Sequence, residues 1–207
     1  MMVVLFTSIG IVIAFGTLAA IVWSIVYPER RLWPPKKYTA MTPILVWVPT
    51  FTLFGTIIAV GVMEWGSWTI PAAIRYGLGG TLIALGNLGV WSEVIKFGVD
   101  QTGGASGVLR TGGLYRYSRN PQYVSDIMIV AGWGVLSASP SAFIIGLVSV
   151  LVLIAAPFAE EPWLRRTYGE QYADYAAKVR RFLRRAKGLV DHCSISQDLE
   201  VLAEING

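Results

Sequence analysis

Residues 127–159 read Ile-Met-Ile-Val-Ala-Gly-Trp-Gly-Val-Leu-Ser-Ala-Ser-Pro-Ser-Ala-Phe-Ile-Ile-Gly-Leu-Val-Ser-Val-Leu-Val-Leu-Ile-Ala-Ala-Pro-Phe-Ala, 33 positions without a charge. As one helix they would extend about 50 Å at 1.5 Å per residue, well beyond a hydrocarbon core of about 30 Å. The middle of the stretch is Ser137-Ala138-Ser139-Pro140-Ser141. Serines around a proline signal a turn, and proline is tolerated in the first turn of a helix. The stretch is therefore expected to fold as two antiparallel helices, with Pro140 near the start of the second.

Working outward, Met1–Pro28 and Tyr38–Met63 are also free of Asp, Glu, Lys and Arg. Over the whole chain 54% of residues are hydrophobic and 14% charged, against about a quarter charged in soluble domains. Mean hydropathy is +0.56. These values exclude a soluble enzyme, a DNA-binding module and a disordered tail as whole-chain descriptions. The first apolar run, Met2–Tyr27, is too long for a cleaved signal peptide and lacks its basic start, so it is expected to stay as a helix. A second span is expected over Thr42–Met63. A third is expected over Pro71–Ile95, with Arg75 reaching outward near one end, because a charge at the bilayer centre is costly. With the hairpin, these make five spans.

Charge placement supports that count. Arg30, Arg31, Lys36 and Lys37 lie between spans one and two; Lys96, Arg110, Arg116 and Arg119 lie between spans three and four; eight more lysines and arginines follow span five. Ser67–Ile70 and Ser137–Ser141 carry none. Five spans put every basic segment on one side, which the positive-inside bias makes cytoplasmic, with the amino terminus outside. The net charge of +4 is thus read as orientation, and no nucleic-acid partner is expected. Arg184, Arg185 and Lys187 form a basic patch suited to anionic headgroups. Residues 188–207 are expected to be an amphipathic or disordered appendage in which His192 and Cys193 are exposed. Cys193 stands alone, so no internal disulfide and no multi-cysteine zinc site is expected.

Two polar clusters sit on the basic side. One comprises Thr102-Gly103-Gly104-Ala105-Ser106-Gly107 and Thr111-Gly112-Gly113-Leu114-Tyr115-Arg116-Tyr117-Ser118-Arg119-Asn120-Pro121-Gln122-Tyr123. Glycines let backbone approach a ligand, tyrosines offer flat faces to a purine, and arginines offer forks to a carboxylate. The other comprises Glu160-Glu161-Pro162-Trp163-Leu164 and Tyr168-Gly169-Glu170-Gln171-Tyr172-Ala173-Asp174-Tyr175. Adjacent acids at a helix mouth repel each other and need hydroxyls or cations nearby. Pro162 suits the first turn of a new helix, and Tyr168, Tyr172 and Tyr175 form a stripe of the kind that more often packs than binds. By themselves these clusters also fit a basic loop and a pair of acids marking the water interface.

The order Gly113-Leu-Tyr-Arg-Tyr-Ser-Arg-Asn-Pro-Gln-Tyr123, hairpin, Glu160-Glu161-x-x-Leu164, Tyr168-Gly169-x-x-Tyr172-x-x-Tyr175 and a closing Arg181 resembles the membrane methyltransferases. That group includes the isoprenylcysteine carboxyl methyltransferases and the phospholipid N-methyltransferases. The resemblance covers about Gly112–Phe182 and lies in the co-occurrence of the motifs. Many members have histidine where this chain has Asn120, a glycine where it has Ser125, and a proline after the closing arginine.

The resemblance implies an all-α, polytopic integral membrane protein. Residues 1–100 would hold helices one to three, and 101–187 a methyltransferase-like core of hairpin and cytoplasmic helical segment. It implies S-adenosylmethionine as cofactor, with Gly113, Tyr115, Arg116, Arg119, Asn120, Tyr123, Glu160, Glu161 and Tyr172 around it and no metal. Its acceptor would be lipophilic or membrane-embedded: a carboxylate, amine or thiol. Arg119 and Glu160 are the implied catalytic groups. Asp126, about one turn into span four, is added because an amine acceptor must give up a proton. Its alternative role is helix packing. Two other functions stay open: an NADPH-dependent reductase of the sterol or polyprenol type, which shares a similar terminal hairpin, and a non-catalytic helical scaffold.

Overall fold

The charge-free stretch does bend where the serines predict. In the computed structural model, which describes residues 1–97 and 107–183, one helix covers Pro121–Ser137 and the next Pro140–Lys178. Ala138 joins them in the left-handed conformation (φ 49, ψ 41). Ser139 caps the second helix, its hydroxyl accepting from the Ala142 amide at 3.1 Å, with Pro140 in the first turn. The cap satisfies one of the four amides that a helix start leaves without partners.

Helices are designated α1 (Met2–Val26), α2 (Thr42–Met63), α3 (Gly80–Phe97), α4 (Pro121–Ser137) and α5 (Pro140–Lys178). A π-helical turn, Ala73–Gly79, leads into α3. The fold is all-helical, with no strand among the described residues. By length and composition α1, α2 and α5 are long and apolar enough to cross a membrane, whereas α4 has 17 residues against the usual 20 or so. Large apolar side chains cover the outside of the bundle, among them Phe15, Val22, Phe51, Leu88, Leu147 and Leu151. In water such a surface would be an aggregation hazard, and in lipid it is the expected solvent face.

Helix directions follow from the contacts. Ala14 packs with Leu53, Ile57, Val60, Ile145 and Val148, and Ile21 with Val152, Ala156 and Ala159, so α1 and α5 run parallel. A Cβ on Gly79 would lie 2.9 Å from the Leu136 amide, and one on Gly86 would lie 2.6 Å from the Ser125 carbonyl. Thus α3 runs antiparallel to α4 with backbones in close approach, as small residues permit in membranes. Ser125 takes part in that contact: a Cβ on Gly89 would collide with its hydroxyl.

Consecutive helices therefore alternate in direction, so the bundle has a turn end (residues 64–72 and 137–141) and a basic end (28–41, 107–120 and 160–183). At the turn end the Glu64 carboxylate accepts from the Ser139 hydroxyl (2.7 Å), the Ser141 amide (3.0 Å) and the Ser141 hydroxyl (2.9 Å). Burial alone would raise its pKa, but these three donors outweigh it and hold the carboxyl below its ordinary value. Arg75 sits at this end as expected. It is engaged with protein, however, donating to the Leu136 and Ser137 carbonyls at 3.1 and 3.3 Å and lying over the Trp65 ring at 5.1 Å. An acid at the start of α5 and a cation at the end of α4 both oppose the local helix dipole.

One expectation needs correction. Pro162 does not open a new helix: α5 continues through Pro157 and Pro162, and the non-helical residue is Gly169 (φ 53, ψ −129). The prolines forfeit single amide bonds, while the turns after them are anchored by Glu161 and by the burial of Tyr172 and Tyr175, so packing carries the helix onward. The motif stretch 102–106, the patch at Arg184, Arg185 and Lys187, and the tail 188–207 with His192 and Cys193 lie outside the described residues.

Candidate functional site

At the basic end, the loop before α4 and the last turns of α5 meet. Residues 113–116 form a 3-10 turn that Gly113 enters at a φ of +61, a value that favours glycine. The loop is then tied to α5 and the closing segment. The Tyr175 hydroxyl donates to the Tyr115 carbonyl at 2.7 Å, Tyr168 to the Gly107 carbonyl at 2.6 Å, and the Arg119 amide to the Arg180 carbonyl at 2.9 Å. Tyr172 and Tyr175 are buried with Val179, and Leu109, Tyr115 and Leu164 pack against them. The tyrosine stripe is thus chiefly a packing element, and its hydroxyls fasten the loop.

The two acids are held in different ways. Glu161 is nearly buried, and Arg181 binds it through both oxygens at 2.7 and 2.8 Å, with Arg119 adding a contact at 3.1 Å. The paired geometry makes this the stronger class of ion pair. It also raises the Arg181 pKa above its ordinary value, the hydrogen bond to Glu161 outweighing the opposing effect of burial. The guanidinium of Arg181 further stacks on Phe158, 3.8 Å from its ring centre. Arg119 reaches the Tyr172 hydroxyl at 3.3 Å, while its Nε is buried and has no hydrogen-bond partner among the described residues.

Glu160 faces away from the arginines. Its Oε1 accepts from the Trp33 indole N–H at 2.7 Å and from the Tyr123 hydroxyl; among the described residues Oε2 makes no hydrogen bond. Three elements distant in sequence therefore converge on one carboxylate. Asp126, one helical turn beyond Tyr123 on α4, is half-buried and forms no hydrogen bond or ion pair among the described residues.

The structure thus gathers Arg119, Tyr123, Glu160, Glu161 and Tyr172. Asn120 lies beside them with its amide turned to the Arg181 carbonyl at 2.9 Å, so its visible work is to fix the closing segment. Arg116 is exposed and stacks on Tyr117 at 5.6 Å, with no contact to either acid. Trp33 was missed because its position beside Pro34 in a basic loop reads as an interfacial aromatic. Arg181 was expected as a closing arginine able to bind a carboxylate acceptor, and the structure makes it the main partner of Glu161.

On the other flank of the α4 start lies an apolar groove of about 350 Å³ between α3 and the 114–118 turn. Leu85, Leu88, Val124, Ser125, Met128 and Ser118 line it. Tyr123 and Val124 are neighbours in sequence, so one turn of α4 separates the polar cluster from the groove.

An all-helical bundle with membrane-spanning helices and a polar, ion-paired cluster where a hairpin meets a basic loop defines the class: a membrane protein with an enzyme-like site at one end. Comparison with known proteins is more specific. Residues 74–171, just under half of the chain, match the family model described as phospholipid methyltransferase, and over them the chain resembles that family. A stretch of 111 residues is 26% identical to the steroid 5-alpha-reductase DET2 of Solanum lycopersicum, covering 53% of this chain and 43% of that protein. The chain thus spans less than half of the relative's length. No solved structure matches.

Proposed function

We propose that this protein transfers a methyl group from S-adenosylmethionine to a lipophilic acceptor in the membrane. The observation that carries the reading is the meeting of the arginine-bearing loop with the twin acids, Arg119 to Glu161 at 3.1 Å, within a chain that resembles the phospholipid methyltransferases. The available groups suit the cofactor. Arg119 Nε is a buried donor with no partner among the described residues, able to take a carboxylate, and Glu160 keeps one oxygen for an ammonium or ribose hydroxyls. S-adenosylmethionine supplies an electrophilic methyl carbon on sulfur. The chain's own tasks are to align the acceptor and exclude water, which helices and the buried cluster do without a metal.

On this reading Tyr123 and Glu160 hold the nucleotide side, and the α3–α4 groove, apolar and bordered by Ser118, takes the acceptor's hydrocarbon. Asp126 is the proton acceptor if the nucleophile is an amine. Gly113 and Tyr115 shape the loop. The basic end is the cytoplasmic one, with the amino terminus opposite, since twelve of the sixteen lysines and arginines other than Arg75 fall within residues 28–41, 107–120 and 160–183. Isoprenylcysteine and phospholipid amine are both candidate acceptors.

The likeness to a steroid 5-alpha-reductase favours a second reading, a nicotinamide-dependent reductase. Thermal unfolding in detergent with S-adenosylhomocysteine and, separately, NADPH divides the two, because a ligand at 100 times its Kd stabilises by about 2.7 kcal/mol. Stabilisation by the homocysteine compound and transfer of labelled methyl to a lipid extract are expected. Stabilisation by NADPH alone would favour the reductase.

A further inference from the structure

The loop between α1 and α2 reaches into the site. Ser24, buried near the end of α1, donates its hydroxyl to the Ala20 carbonyl at 2.7 Å and accepts the amides of Leu32 and Trp33, each at 3.0 Å. The Trp23 indole holds the Arg30 carbonyl at 3.1 Å, and Arg31 Nε holds the Pro34 carbonyl at 2.9 Å. Pro34 is fully buried. So pinned, the chain delivers the Trp33 ring against the cluster of Ile21, Val152, Ala156 and Ala159, where Tyr123 also packs. The Trp33 N–H ends on Glu160 Oε1 at 2.7 Å. Further out, Glu29 pairs with Arg166 at 2.6 Å, tying the loop to α5 beyond the acids.

A carboxylate in apolar surroundings rotates toward whatever donors it finds, and an orientation that is not fixed costs affinity. Here two donors from two different elements, Trp33 and Tyr123, share one oxygen. The other oxygen is thereby directed away from both. We infer that Trp33 is a positioning residue of the cofactor site, and that residues 28–34 are a strap from α1 to α5 that sets the direction of Glu160. The inference rests on the methyltransferase reading only for the identity of the ligand that Glu160 meets; the strap itself is a property of the chain.

The test uses the full chain in detergent, with two measurements on wild type and Trp33→Phe. The first is S-adenosylhomocysteine affinity. The second, free of ligand, is the rate at which a hydrophobic carbodiimide modifies Glu160, followed by peptide mass spectrometry with Asp126 as internal reference. Trp33→Phe keeps a ring and removes the donor. Affinity is expected to fall about tenfold and Glu160 modification to rise about as much, the effect of one hydrogen bond to a charged group, with Asp126 unchanged. Unchanged Glu160 modification overturns the inference. So does a parallel rise at Asp126, which reports general loosening, and so does faster Glu160 modification with unaltered affinity. If Trp33→Phe does not fold, benzothienylalanine at position 33 keeps the bicyclic shape without the N–H and enters the same comparison. If wild type binds no S-adenosylhomocysteine, the cofactor reading fails, and the carbodiimide rates alone decide the strap.

Discussion

Replacing Glu161 with glutamine asks whether charge holds the basic end together. Glu161 is 8% exposed, bound by Arg181 at 2.7 and 2.8 Å and by Arg119 at 3.1 Å. Glutamine keeps the shape but removes the anion, turns one acceptor into a donor, and leaves two guanidinium groups facing each other. Removing one partner of a buried ion pair costs about 3–5 kcal/mol. The Arg181 side chain is 30% exposed and recovers part of its hydration, so the lower end, about 3 kcal/mol, applies. For a chain of this length each kcal/mol moves the thermal midpoint by about 2–4 °C, giving a fall of about 6–12 °C. Thermal unfolding in detergent at neutral pH measures it. Arg181→Gln should cost less, because Arg119 still serves Glu161, and the double variant should fall well short of the sum. A Glu161→Gln midpoint within about 2 °C of wild type would refute the argument that this pair is structural.

Glu64→Gln removes the anion at the start of α5 and should lower stability by about 1 kcal/mol at pH 7. Because the folded-state pKa of Glu64 lies below its ordinary value, the contribution is complete above about pH 4.3 and is lost as pH falls through the folded pKa; melting curves of wild type and variant should therefore converge in acid. Arg75→Gln should cost about 1–2 kcal/mol by taking the cation from the end of α4, and sparing the midpoint would contradict the contacts to Leu136 and Ser137. Gly86→Ala should destabilise by about 1–3 kcal/mol, since its Cβ would lie 2.6 Å from the Ser125 carbonyl. Gly16→Ala, with nothing within 4 Å, should be neutral or gain up to about 1 kcal/mol.

How far the sequence carries toward this arrangement depends on the distance between partners. The hairpin was legible because its turn lies in five consecutive residues, Ser137 to Ser141, and because an uncharged run too long for a bilayer has to bend. The clustering of charge at one end was legible from alternation of spans. Pro162 misled because local propensity counts one lost amide, whereas Glu161 just before it and Tyr172 and Tyr175 beyond it are held in tertiary contact. Trp33 was invisible for the same reason in stronger form: its partner Glu160 is 127 positions away, and no local pattern distinguishes an indole at the water interface from one directed inward. The bond from the Asn120 side chain to the backbone carbonyl of Arg181 was not legible either, because it depends on where the closing segment lands.

The start of α4 is where these threads meet, because Tyr123 faces the acids while Val124 and Ser125 face the groove and α3. Tyr123 points to Glu160 and Trp33, Val124 lines the groove, and Ser125 packs into α3 beside Gly86 and Gly89. The glycine contact fixes the rotation of α4 about its own axis, since turning the helix would drive Ser125 into the α3 backbone. That same rotation decides which side chain meets the acids and which meets lipid. An alanine at Gly86 therefore perturbs more than stability: it should turn Tyr123 away from Glu160, leaving Trp33 as its remaining donor, and lower S-adenosylhomocysteine affinity although it touches neither group. Close packing of α3 on α4 thus acts as the register that keeps the polar site and the apolar groove on opposite flanks of one helical turn.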